Sequence, residues 1–298
     1  MLRVMMLALA GLCSACASLP SKEQLAAFSE ASGKGVSTVS QVVDSGHTLE
    51  ARQDELRQAS NFVRGKRFAA ESIPKSQRPP KAAKAQIVID EQLQIRLNAL
   101  KDLQAYSKAV GDAADQGTVD GLVSATEKLG TNIGELAKII VPEAGAVASP
   151  AIKLIGKSAG YGLADSYVHN VNGVIKEADP VVAEVIRLLR LDLAGLPPRI
   201  DFDAGKYAAL REVQLRLIRD DRRVNRSELH NAFFSARADI AANYELAKAA
   251  DAVDGVLKAI ADTHHSLVEG KPDVDLTIKK MSALSTDLAA VITAMKKG

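Results

Sequence analysis

The sequence predicts an all-α protein, an elongated bundle of about seven helices with the longest ones packed antiparallel. Three observations carry that expectation. Good helix formers (Ala, Leu, Glu, Lys, Arg and Gln) dominate the 298 residues, while aromatics are only 4% and Trp is absent. No run of alternating β-branched or aromatic residues marks a strand. Apolar and small residues recur instead at intervals of three and four behind capping signals. No linker is long and polar enough to separate two units, so residues 16–298 read as a single domain.

The first helix opens at a capping box, Ser21 with Gln24, because the hydroxyl and the Gln side chain can satisfy each other's backbone N–H. Its stripe runs Leu25, Phe28, Ser32, Gly35, Val39, Val42, Gly46, Leu49, Gln53, Leu56, Ser60 and Val63, a heptad-like seam whose small members admit a close partner helix. Gly33, Gly35 and Gly46 each weaken a helix by up to about 1 kcal/mol relative to Ala, so a break near Gly46 is allowed. Between Ser32 and Thr38, "SGKGVST" lacks the first glycine of a phosphate loop (Phe28 stands there), has Gly35 after the Lys, and follows no strand.

Residues 64–84 change character. Seven basic residues (Arg64, Lys66, Arg67, Lys75, Arg78, Lys81 and Lys84) stand against one acid, Glu71, with Pro74, Pro79 and Pro80 among them. That composition predicts a solvated loop, or a strap able to touch anionic headgroups or an acidic partner. A second helix is expected over about Ile87–Ala114, with Ile89, Leu93, Leu97, Leu100, Leu103 and Val110 inward, and a third from Thr118 to Val141. Residues 133–163 form the most apolar and Gly-rich part beyond the N-terminal region. Glu135, Lys138, Glu143, Lys153 and Lys157 interrupt them, so they fit a surrounded core hairpin better than a membrane-crossing one.

Asp179-Pro180 has the form of a cap followed by a first-position proline, predicting a helix that starts there and ends at Gly195 and Pro197-Pro198. A helix over about Ala204–Arg223 follows. Asn225 and Glu228 form a second capping box, opening a long helix to Glu269 with Leu229, Phe233, Ala236, Ile240, Leu257, Ile260 and Leu267 inside. Gly270 and Pro272 stop it. The last helix, Asp275–Lys296, places Thr277, Met281, Leu284, Leu288, Val291 and Met295 at heptad spacing.

Chemistry-bearing motifs are scarce. The five histidines (His47, His169, His230, His264 and His265) form no HExxH motif. Asp262 and His265, three apart beside His264, are the nearest approach to a ligand pair and fit a hydrogen-bonded surface pair equally well. No metal or cofactor is expected. Without a recognisable nucleophile, base and oxyanion donors, the chain does not read as an enzyme. Arg216, Arg219, Arg223 and Arg226 recur at helical spacing and predict one arginine face, able to bind phosphate groups or an acidic protein patch, or simply solvated and salt-bridged. A formal charge of +2 lacks the basic excess of a general nucleic-acid binder.

Both cysteines, Cys13 and Cys16, lie in the first sixteen residues, after Arg3 and the apolar run from Val4 to Leu12. A basic start, a short apolar stretch and a small-residue exit are the parts of an export signal. Cys13-Ser14-Ala15-Cys16 resembles the lipobox of bacterial lipoproteins, departing from it at Cys13, where the family usually has Leu. The resemblance covers residues 1–17. It implies that residues 1–15 are removed as a signal peptide and that Cys16 becomes a lipidated N-terminus. Ala17, where an Asp would favour retention at the inner membrane, implies an outer-membrane lipoprotein facing the periplasm. Ala15-Cys16-Ala17 also fits ordinary signal cleavage, which would secrete a soluble protein. With the lipid as its membrane contact, the chain reads as a non-enzymatic helical protein acting through protein–protein interaction, in envelope assembly or in neutralising an exported effector. The alternative resembles α-pore-forming toxins, with residues 133–163 as the membrane-active segment.

Overall fold

The structure is a computed structural model and describes residues 19–64, 80–140, 167–221 and 223–297. Seven helices and no strand occur among these residues: α1 (Lys22–Val63), α2 (Pro80–Gln116), α3 (Asp120–Ile140), α4 (Tyr167–Leu193), α5 (Leu196–Asp220), α6 (Arg226–Glu269) and α7 (Val274–Lys297). They pack as an all-α multi-helix bundle. At 1.5 Å per residue, α1 (42 residues) and α6 (44 residues) are each about 65 Å long and give the molecule its axis.

Both predicted capping boxes form. Ser21 Oγ accepts from the Gln24 N–H and Gln24 Oε1 from the Ser21 N–H; Asn225 and Glu228 do the same at α6. Gly117 and Gly270, both in the left-handed region, turn the chain after α2 and α6 at no steric cost.

α1 is the central helix, packed against α2, α5, α6 and α7, while α4 sits between α3 and α6 and also touches α2. Its seam is buried without interruption from Leu25 to Gln53 and again at Ser60, so the helix runs straight through Gly46. The small members do what their size permits. At Gly35 an added Cβ would lie 2.6 Å from Ser285 Oγ and 3.0 Å from Val256, and at Gly46 it would lie 2.9 Å from Ile200. α1 therefore meets α6, α7 and α5 at distances only glycine allows. Phe28 against His264 and Gly35 against Ile260 place the two longest helices antiparallel. α7 runs parallel to α1 instead, through Gln24–Asp275 and Lys34–Thr286 contacts, because it returns antiparallel along α6.

Four expectations are corrected. Pro180 does not start a helix but lies inside α4, with Val171, Val174, Ile175 and Ala178 buried before it and Val181, Val182, Val185 and Ile186 after it. An interior proline costs about 3 kcal/mol and frees the carbonyl four residues back. Pro180 and Lys176 both sit on the exposed side, where water can serve that carbonyl, and burial on either flank offsets the cost. α4 ends at Leu193, just before Gly195 and Pro197-Pro198 as expected. The next helix, expected from about Ala204, already begins at Leu196 with both prolines in its first turn, where missing N–H groups need no partner.

Similarly, Pro80 opens α2, so the basic segment gives way to helix at residue 80 and Lys81 and Lys84 are helical. Lys66, Arg67, Lys75 and Arg78 lie outside the described residues, and Arg64 caps α1. In α7 the inward stripe is Ile278, Met281, Ser285, Leu288 and Ile292; Leu284 is exposed, because Ser285 faces the α1 crossing and donates to the Ala31 carbonyl at 3.2 Å. Of the apolar segment 133–163, residues 133–140 are the last turns of α3, with Ile133 and Leu136 buried, and the remainder lies outside the described residues. No helix among the described residues is long and apolar enough to cross a membrane.

Candidate functional site

The body of the bundle holds a polar cluster around His264, and it corrects the expected Asp262–His265 pair. Asp262 faces Lys258 instead. The hub is Asp179, held in mid-helix: Oδ1 accepts from His264 Nδ1 at 2.8 Å and Oδ2 from His265 Nδ1 at 2.9 Å. Nε2 of His264 meets the Tyr106 hydroxyl at 2.7 Å, and Nε2 of His265 meets Glu269 at 3.1 Å. Burial works to raise the Asp179 pKa, but the two histidine hydrogen bonds prevail and the carboxyl sits below its ordinary range. The bond to Asp179 holds His265 above its ordinary value. Burial, reinforced by the Asp179 charge, pushes the Tyr106 hydroxyl well up.

Tyr106 and His264 are fully sealed, with the His264 ring edge-on to Phe28 and tilted against Tyr106. Such a chain of satisfied bonds pins α2, α4 and α6 together in a low-dielectric core. Its outer end stays open to solvent: the His265 side chain is 50% exposed and Glu269 beside it 43%. Cys16 and His169 contribute no described side chain, and among the described residues no three His, Cys, Asp or Glu side chains gather as metal ligands.

The arginine face is redistributed. α5 ends at Asp220, so Arg223 falls in the turn and Arg226 is the first residue of α6. The four are therefore not one helical face. The hairpin nevertheless brings three of them to a common groove, lined by Glu212, Leu215, Arg216 and Arg219 of α5 and by Arg226, Leu229, His230 and Phe233 of α6, with a volume of about 500 Å³. Arg216 pairs with Glu212 and Arg219 with Asp220, whereas Arg223 and Arg226 form no ion pair among the described residues.

This end of the molecule is thinly packed. On α5 nothing beyond Tyr207 is buried, and on α6 nothing before Ala236. Below the groove the hairpin is closed by Arg211, whose Nη2 donates to Asp239 at 2.6 Å, and by the Tyr207 hydroxyl on the same carboxylate at 3.5 Å. Phe233, expected inside, is 49% exposed, and Phe234 beside it is 52% exposed. The two rings stack edge to face at 5.5 Å, and His230 tilts onto Phe234 at 4.6 Å. α6 carries apolar residues beyond the point where other helices can cover them. That is why periodicity alone placed Phe233 in the core.

Sequence reading missed a second feature, a polar cleft between α1, α2, α4 and α5 containing Arg96, Asp192, Glu50, Arg199 and Asp203. These charges are isolated in sequence, and only the packing gathers them. Fold and site together define an all-α bundle with a sealed core at His264, a polar cleft and an open basic-apolar tip. No protein family matches the chain, and no characterised protein or solved structure matches it.

Proposed function

We propose that the chain is a non-enzymatic, lipid-anchored protein of the bacterial envelope, tethered through Cys16 at the outer membrane and facing the periplasm, whose α5–α6 tip docks a protein partner. The tether rests on the lipobox-like Cys13-Ser14-Ala15-Cys16, and the observation that carries the docking is the groove itself. Leu215, Leu229 and Phe233 offer apolar contact, and Arg226 stands beside them with no carboxylate of its own among the described residues. Aromatic and arginine side chains together are the composition that dominates binding energy at protein interfaces. The matching partner is an amphipathic helical segment with carboxylates flanking its apolar stripe. An envelope assembly component or an exported effector that the protein neutralises could present one.

Two measurements test the reading separately. Cys16→Ala should abolish incorporation of labelled palmitate and release the protein from membranes; unchanged labelling would refute the tether. A photo-crosslinking residue at Leu229 should trap one partner in intact cells, while the same residue at exposed Asp287 on α7 should not. Arg226→Glu should remove the crosslink without changing the protein's helicity. A crosslink that persists in Arg226→Glu, or equal trapping from both positions, would refute tip docking.

A further inference from the structure

The cleft between α1, α2, α4 and α5 has a volume of about 290 Å³, room for roughly ten waters or one small molecule. Its walls are apolar at Val43, Leu93, Leu193, Leu196 and Ile200, and Ile200 and Leu196 pack closely onto the Gly46 backbone of α1. Its charges are nearly all spoken for. Both forks of Arg96 hold Asp192, at 2.5 Å and 3.0 Å, and Arg199 Nη2 holds Glu50 at 2.6 Å. Both guanidinium charges are thus matched by a carboxylate within the cleft. Asp203 differs. It lies one turn beyond Arg199 on α5, is only 8% exposed, and makes no hydrogen bond or ion pair among the described residues. It lines the cleft, and its oxygens are not among the sealed, orphaned atoms of the core.

Asp203 is thus a largely buried residue whose carboxylate faces the cleft with no donor among the described residues, and a bound donor would complete it. We propose that this cleft is a binding site for a small organic cation, an alkylammonium or guanidinium group that donates to Asp203 while its carbon chain lies on Leu196 and Ile200. A metal ion fits less well, because no three ligating side chains converge among the described residues. This site is independent of the tip groove and of the lipid tether.

Calorimetric titration of the full chain with 1,4-diaminobutane and with agmatine tests it, with magnesium and inorganic phosphate as separate titrants. Saturable binding of one amine per chain is expected, weakened about tenfold or more in Asp203→Asn, the loss of a charge-assisted hydrogen bond. Asp201→Asn, on the exposed side of the same helix, should bind as the parent does. In methyl-labelled protein the Ile200 resonances should move on adding the amine and stay still in Asp203→Asn. Absence of saturable amine binding, equal affinity in Asp203→Asn, or displacement of the amine by magnesium would overturn the proposal.

Discussion

Around His264 and at the α5–α6 tip, the molecule uses similar residues to opposite ends. Both regions combine histidine, aromatic rings and charged groups. At His264 every polar atom has found a partner and both rings are sealed. At the tip Phe233 and Phe234 face water and Arg226 has no counter-charge among the described residues. The difference lies in how many helices surround each site. Four helices converge near His264: α1 through Phe28, α2 through Tyr106, α4 through Asp179, and α6 itself. Around the groove, among the described residues, α5 and α6 alone line the walls. Burial pays for the ordering of a polar network; without it, the same residue types remain available to an outside partner.

If that contrast is right, the largest loss of stability belongs to the sealed network. Tyr106→Ala removes a fully buried ring and leaves His264 Nε2 without its partner, and should cost about 3–5 kcal/mol in urea denaturation. A loss below about 1 kcal/mol would mean the network is not close-packed.

The glycine crossings come next. Gly35→Ala drives a Cβ to 2.6 Å from Ser285 Oγ, which is itself buried and bonded to α1; overpacking of this kind costs about 1–3 kcal/mol. Gly33→Ala, two residues away with nothing within 4 Å of the new atom, should instead stabilise by up to about 1 kcal/mol. Equal effects from the two would show that α1 does not meet α6 and α7 this closely.

The Asp179 cluster should also leave a mark on the pH dependence. His265 titrates above its ordinary 6.5, so its contribution is full below pH 6.5 and is lost as pH rises through the higher folded value. Asp179 titrates below its ordinary 3.8, so its contribution is present above pH 3.8 and is lost as pH falls through the lower folded value. Stability should therefore be greatest between these limits. The decline above pH 6.5 should flatten in His265→Asn, as read from urea midpoints across pH 5–9. A decline of unchanged steepness in that variant would remove His265 from the cluster's energetics.

Smallest of all should be the cost of changing the tip. Phe233→Ser and Arg226→Glu, on exposed positions, should move stability by no more than about 0.5 kcal/mol each. A loss several times larger would make the tip part of the core rather than a docking surface.

Much of the architecture was legible because it is written locally. The α1 seam from Leu25 to Ser60 and the two capping boxes depend on residues three and four apart, and a single helix displays them. The site was less so. Arg216 and Arg226 belong to different helices and meet only because the turn between them folds α6 back on α5. Asp179 looked like a helix cap because Pro180 follows it, and no local signal points to the two histidines 85 and 86 residues away that occupy its carboxylate. Arg96 and Asp192 are equally remote, and each alone is an ordinary surface charge.

By itself, then, the sequence determined that this chain is helical, where α1 and α6 begin, and which stripe of α1 turns inward, because hydrogen bonding, capping and 3.6-residue periodicity act within one segment. The tertiary structure alone decided that α4 runs through Pro180 and that Ser285 rather than Leu284 faces inward. It also decided that Phe233 stays exposed and that Asp203 looks into a cleft. Each of these turns on what stands opposite a residue. Burial and charge pairing are properties of neighbours, and neighbours are set by packing.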